Sequence, residues 1–232
     1  MPLAHTDSLY ESELARLRNS VLLMGAKAEE LVGRGLRAFA TRDDELARSA
    51  IVLDKHVDRL EVAIDDLALA ILARRQPVAG DLRFVAGVLK IVTDLERVGD
   101  LAVNICERVI ELSREPDRVE GPGGVRTELL ALGDGVIAML HDALDAFVRG
   151  DVTLARDVLS RDDAIDRGFS AIFEGLVTQM MADPGGVARA TRLQSLGRYL
   201  ERIADHATNV AEMVVFMVKG KDVRHTPAGG ER

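Results

Sequence analysis

From Leu14 to Ala40 apolar residues return every three or four positions, at Leu14, Leu17, Val21, Met24, Leu31, Leu36 and Phe39. That spacing predicts a helix with one buried face. The polar run "TRDDE" from Thr41 to Glu45 breaks it and offers capping residues for a second helix, about Asp43 to Arg74. "RQPVAGD" then brings Pro77, Gly80 and a candidate N-cap in Asp81, so a third helix is expected from there to about Ser113. Along it Phe84, Val88, Ile91, Leu95, Val98, Ala102, Ile105, Val109 and Leu112 alternate spacings of three and four, a packing seam.

The pattern then starts again. "REPDRVEGPGG", Arg114 to Gly124, mixes charge, proline and glycine and is the best linker in the chain. Beyond it three more helices are predicted, about Val125 to Arg149, Asp151 to Ala182 and Val187 to Gly220, the last two divided by "DPGG". At an offset of 108, "FATRDDELAR" lies over "FVRGDVTLAR", sharing Phe, Asp, Leu, Ala and Arg. At an offset of 105, "LERVGDLAVNICE" from Leu95 lies over "LERIADHATNVAE" from Leu200, with seven identities in thirteen. This is a tandem duplication of a three-helix unit. The expected domains are a first repeat at 8–113, a linker at 114–124, a second repeat at 125–220 and a disordered tail at 221–232.

Composition fits this all-α fold of six long helices. Hydrophobic residues make up 47% of the 232, enough for a core, while aromatics are only 3% and Trp is absent, which favours aliphatic helix packing. A net charge of -8 argues against binding a polyanion, so no nucleic-acid partner is expected. Cys106 is the sole cysteine and sits on an apolar stripe, where a buried, inert thiol is expected. No basic leader and no uncharged run of roughly 20 residues is present, so the expectation is a cytoplasmic protein without a membrane-inserted segment.

What the seam leaves over is a set of aligned acids. With Leu95 and Leu200 at heptad position a, Glu96, Asp100 and Asn104, and likewise Glu201, Asp205 and Asn209, face away from it. The second helix of each repeat adds Asp54 with Asp58 and Asp162 with Asp166. Carboxylates one turn apart sit about 5 to 6 Å apart at Cβ and can converge on one ion or bridge two. An oxygen-only donor set suits hard cations such as Mg, Mn or ferric iron. The plainer alternative is solvated charge, with Glu96 or Glu201 paired to a nearby arginine. Glu61 and Asp65 of the first repeat become Phe169 and Phe173 in the second, while the aspartate pair is kept. His206 has Leu101 as its counterpart and reads better as a surface or interhelical residue than as a ligand. No Glu-x-x-His pair, P-loop, nucleophile elbow, zinc motif or dinucleotide fingerprint is present, so catalysis has no visible seat.

The segments "RQPVAGDLR", "DLERVGDLAVNI" and "YLERIADHATNVAE", with an acid, three residues and Asp at Asp54/Asp58, Glu96/Asp100, Asp162/Asp166 and Glu201/Asp205, resemble the PhoU family over about Tyr10 to Lys219. The resemblance implies two three-helix bundles whose eight carboxylates bind metal clusters, with Fe, Zn, Mn or Mg as the ion. It also implies a cytoplasmic homodimer that restrains the phosphate-starvation response by contacting the ATPase of the phosphate ABC transporter and a membrane sensor histidine kinase, and that modulates phosphate uptake. One departure is that "DPGGVARATRLQ" lacks the "RQPVAGDLR" form of the first repeat. Two alternatives stand beside this expectation: a structural helical adaptor that binds a basic partner surface without a functional metal, and metal-dependent phosphate-ester hydrolysis.

Overall fold

Two aspartates at equivalent places in the duplication begin the middle helix of each repeat. Asp43 accepts a hydrogen bond from the backbone N–H of Leu46 (2.9 Å), and Asp151 accepts from those of Thr153 (2.9 Å) and Leu154 (3.1 Å). Each thereby satisfies donors that a helix N-terminus leaves without an intrahelical partner. The residue before each cap turns the chain through the left-handed region, Arg42 at φ 55° and Gly150 at φ 60°. A computed structural model describes residues 8–115 and 124–220 of the chain. It contains α1 (Ser8–Thr41), α2 (Asp44–Arg75), α3 (Ala79–Ser113), α4 (Val125–Arg149), α5 (Val152–Ala182) and α6 (Val187–Lys219), with a 3-10 turn at Pro184–Gly186. Most of the expected linker and the whole expected tail lie outside the described residues.

Two boundaries differ from expectation. The first helix begins at Ser8, ahead of Leu14, because Tyr10 and Leu17 continue the buried face toward the N-terminus. The third begins after Val78, and Asp81 lies within its first turn, accepting the Tyr10 hydroxyl at 3.0 Å instead of capping. Gln76, at φ 45°, ends α2 immediately before Pro77.

Each repeat packs as a three-helix bundle, and the two lie side by side through α3 against α6 and α1 against α4; α2 and α5 flank them and do not cross over. The α3–α6 pair is antiparallel, since Asp94 reaches His206 while Glu111 reaches Arg192. The four central helices enclose an aliphatic core in which Leu17, Leu31, Ile91, Leu95, Leu129 and Leu140 are fully buried. Burying each such side chain stabilises the fold by about 1.5 to 3 kcal/mol. No helix among the described residues is long and apolar enough to cross a membrane.

The duplication is visible in the packing itself. Leu36 seats on Gly133 and Leu144 seats on Gly25; the offset of 108 that aligns the sequences exchanges these two contacts. A Cβ on either glycine would come within 2.6 Å of the opposing leucine, so α1 and α4 approach as closely as they do because neither glycine has one. Reciprocal contacts of this kind are the mark of an internal two-fold axis.

Candidate metal centres

The eight carboxylates expected from the sequence fall into two sets of four, one between α2 and α3 and one between α5 and α6. Asp54 lies against α3, where its Oδ1 sits 2.7 Å from the point a Cβ would occupy on Gly99. Val57 beside it is buried, so the Asp54 carboxylate is pressed between an apolar side chain and bare backbone. Burial, then the charges of Asp58 and Asp100, push its pKa from 3.8 up to about 6. Glu96 is raised in the same way, by burial first and by Asp100 next. Like charges held together out of water favour the protonated form, and a cation bound among them would relieve that.

The second set repeats the first. Asp162 is pushed up to about 6 by burial and by Asp166 and Asp205. Glu201 and Asp205 are raised by burial as well, with Asp166 adding to both. Two oxygens here, Oδ1 of Asp162 and Oε2 of Glu201, are buried without a hydrogen-bond partner. Leaving a buried acceptor unsatisfied costs about 1 to 3 kcal/mol. Both are oxygen donors of the kind a hard cation takes, so the chemistry of the donor set fits such an ion. Among the described residues, however, no three His, Cys, Asp or Glu side chains stand close enough together to close on one ion.

An arginine pairs directly with each set, but from positions the duplication does not equate; Arg202, the counterpart of Arg97, acts on Asp205 only through its charge. Arg97 pairs with Glu96 (3.3 Å) and Asp100 (3.1 Å), and Arg198 pairs with Glu201 (2.7 Å). The first set also gains a member that sequence reasoning passed over. Glu61, raised by burial and by Asp65 and Asp58, responds to Asp100 and contributes in turn to the raised Glu96. Its position three residues after Asp58 was the available signal. In the second repeat Phe169 stands there, with the Arg198 guanidinium over its ring at 5.9 Å. The two sites are therefore alike in their first four acids and unlike in their wall.

Asn209 does not join the acids. Its amide donates to Asp94 (2.9 Å), and His206 meets the same carboxylate at 2.8 Å, so both residues bridge α6 to α3 of the other repeat. The expectation of an interhelical histidine holds, while the amide expected beside Glu201 and Asp205 serves the seam between the bundles.

A duplicated three-helix bundle with a set of aligned acids in each half defines a class of two-repeat helical proteins, and comparison places the chain within it. The PhoU domain family matches residues 21–109 and 129–214. The phosphate-specific transport system accessory protein PhoU homolog of Pseudomonas putida is 41% identical over 95% of this chain and 85% of its own length. The accessory protein PhoU of Escherichia coli (strain K12) is 35% identical over 98% of this chain and 91% of its own. The crystal structure of PhoU from Pseudomonas aeruginosa superposes with a TM-score of 0.87 at 37% identity, covering 91% of this chain and all of that one. The phosphate transport system regulatory protein PhoU from Streptococcus pneumoniae gives 0.84 at 28% identity, covering 92% of this chain and 99% of that one. The chain belongs to the PhoU family.

Proposed function

We infer that the protein is a cytoplasmic, non-catalytic regulator of phosphate uptake that restrains the phosphate-starvation response as a metal-loaded adaptor between the transporter's ATPase and a sensor histidine kinase. Relatives over nearly the whole chain are named as accessory proteins of phosphate-specific transport, which supports the transport half of this reading. The metal half rests on one observation: the buried, unpartnered oxygens of Asp162 and Glu201, two carboxyls that burial raises. Asp54, Asp58, Glu96 and Asp100 would hold ions in the first repeat, and Asp162, Asp166, Glu201 and Asp205 in the second. Bound Fe, Zn, Mn or Mg would supply charge neutralisation, drawing α2 to α3 and α5 to α6 and fixing the surface that partners meet. A homodimer would present two such surfaces.

The test is elemental analysis of protein purified without chelator, beside the variant carrying Glu96→Gln, Asp100→Asn, Glu201→Gln and Asp205→Asn. The expected result is stoichiometric metal in the wild type and none in the variant, with equal helix content. Equal metal in both would sink the site assignment. A second reading, a helical adaptor that meets a basic partner surface without metal, is favoured by the arginines already paired with Glu96, Asp100 and Glu201. It predicts partner binding that chelators leave unchanged and salt weakens. Hydrolysis of a generic phosphate ester by the Mn- or Mg-loaded protein would overturn the non-catalytic reading.

A further inference from the structure

The internal two-fold gives the bundle two equivalent ends, and side chains of the chain fill one of them. Where α1 and α3 finish, Arg42 reaches across and donates to the carbonyl oxygens of Leu112 (3.2 Å) and Ser113 (3.3 Å) in the last turn of α3. The Leu112 carbonyl also accepts the backbone N–H of Glu115 (3.2 Å), and the guanidinium adds to this helix end a charge of the favoured sign. The space left there, beside Phe39, Val109 and Arg189, is only about 10 Å³.

At the other end the same offsets carry Arg42 to Gly150, Arg189 to Phe84, Phe39 to Phe147, Leu112 to Met217 and Ser113 to Val218. These five counterparts line a cleft of about 640 Å³. Gly150 brings no side chain into the volume that corresponds to the one Arg42 fills, although the backbone is the same, φ 60° against 55°. Phe84 stacks on Phe147 with ring centres 6.1 Å apart, and Arg18 lies over Phe84 at 5.1 Å, so the floor is apolar and its arginine is engaged. Arg149, on the wall, is paired with Asp145 at 2.9 Å. Arg83 approaches the end of α6 near Gly220, but its Nε is buried without a hydrogen-bond partner. Among the described residues, no side chain donates to the carbonyls of Met217 and Val218 as Arg42 does to those of Leu112 and Ser113.

We propose that this cleft receives an arginine side chain presented by a partner protein on an apolar segment, seated as Arg42 is at the opposite end. The guanidinium meets the last carbonyls of α6, and the flanking apolar side chains cover Phe84, Phe147 and Met217. The complementarity is that of a cation with a helix C-terminus whose internal counterpart already holds one. This deepens the adaptor reading by naming what a partner presents, and it is independent of metal.

The test is methyl NMR on the full chain labelled at methionine, titrated with a blocked pentapeptide, acetyl-Ala-Leu-Arg-Leu-Ala-amide, and with its citrulline counterpart. The expected result is a shift of the Met217 methyl by the arginine peptide, with citrulline binding roughly tenfold more weakly. Gly150→Arg, which supplies the missing side chain from within, is expected to abolish the response. Equal affinity for the two peptides overturns the proposal, and that comparison needs only the wild type should the variant fail to fold. Absence of any Met217 shift in the wild type overturns it too. If the response then emerges on truncation after Gly220, the occupant is the chain's own terminal segment, which contains Arg224, and the partner assignment falls. Peptide binding that survives while transporter or kinase association fails would sink the adaptor reading alone.

Discussion

At the scale of single residues, Asp54 and Asp162 carry the clearest consequence. Each ionises near 3.8 when the chain is unfolded and near 6 in the fold. As pH rises from about 4 to 6 the unfolded chain releases these protons first, so the metal-free fold loses stability over that window and stays penalised above it. The double variant Asp54→Asn, Asp162→Asn is therefore expected to melt at a higher temperature than the wild type at pH 7.5 in chelator, with the gap closing toward pH 4.5. Thermal unfolding at the two pH values checks this; carboxylates away from the two sets, such as Glu30, whose pKa is lowered by Lys27 and Arg34, contribute alike to both proteins and cancel. The pairs Asp54/Asp58 and Glu96/Asp100 were legible in the sequence from their spacing. The place of Glu61 was not, because a residue three positions along joins the set only once α2 lies on α3.

At the scale of helices, caps and close contacts repeat with the duplication and can be weighed against one another. Asp43→Ala and Asp151→Ala are each expected to cost about 1 kcal/mol in urea unfolding, with nearly additive effects because the caps belong to separate helices and share no partner. Gly133→Ala places a methyl group 2.5 Å from Leu36 and is expected to cost about 1 to 3 kcal/mol by overpacking. Adding Leu36→Ala should recover part of that loss, since it opens the space the methyl group needs. A double-mutant cycle in urea that gives no coupling would contradict the reciprocal packing of α1 and α4. The helices themselves were readable from apolar spacing, whereas the start of α3 was misplaced by the capping chemistry of Asp81. That carboxylate is taken by Tyr10, seventy-one residues away, a partner local sequence does not reveal.

At the scale of the whole molecule, metal and protons compete for the same carboxylates. Chelation is expected to lower the melting temperature at pH 7.5 and to have little effect near pH 4.5, where Asp54 and Asp162 hold protons. Calorimetry with and without chelator at both pH values checks this, and an equal shift at both would place the metal elsewhere. The two sites should also differ, the first losing affinity on Glu61→Gln while Phe169 leaves the second with no acid at that position.

The sequence alone determined the six helices, their duplication and the eight aligned carboxylates, because helical periodicity and repeat offsets are local properties of the chain. Tertiary structure decided the rest. Burial between helices raises Asp54, Glu96, Asp162, Glu201 and Asp205, Asp94 draws Asn209 and His206 to the seam, and the two-fold relation turns a change from Arg42 to Gly150 into one filled end and one open cleft. Each of these depends on which side chains meet across helices, and spacing along one helix carries no information about its partner.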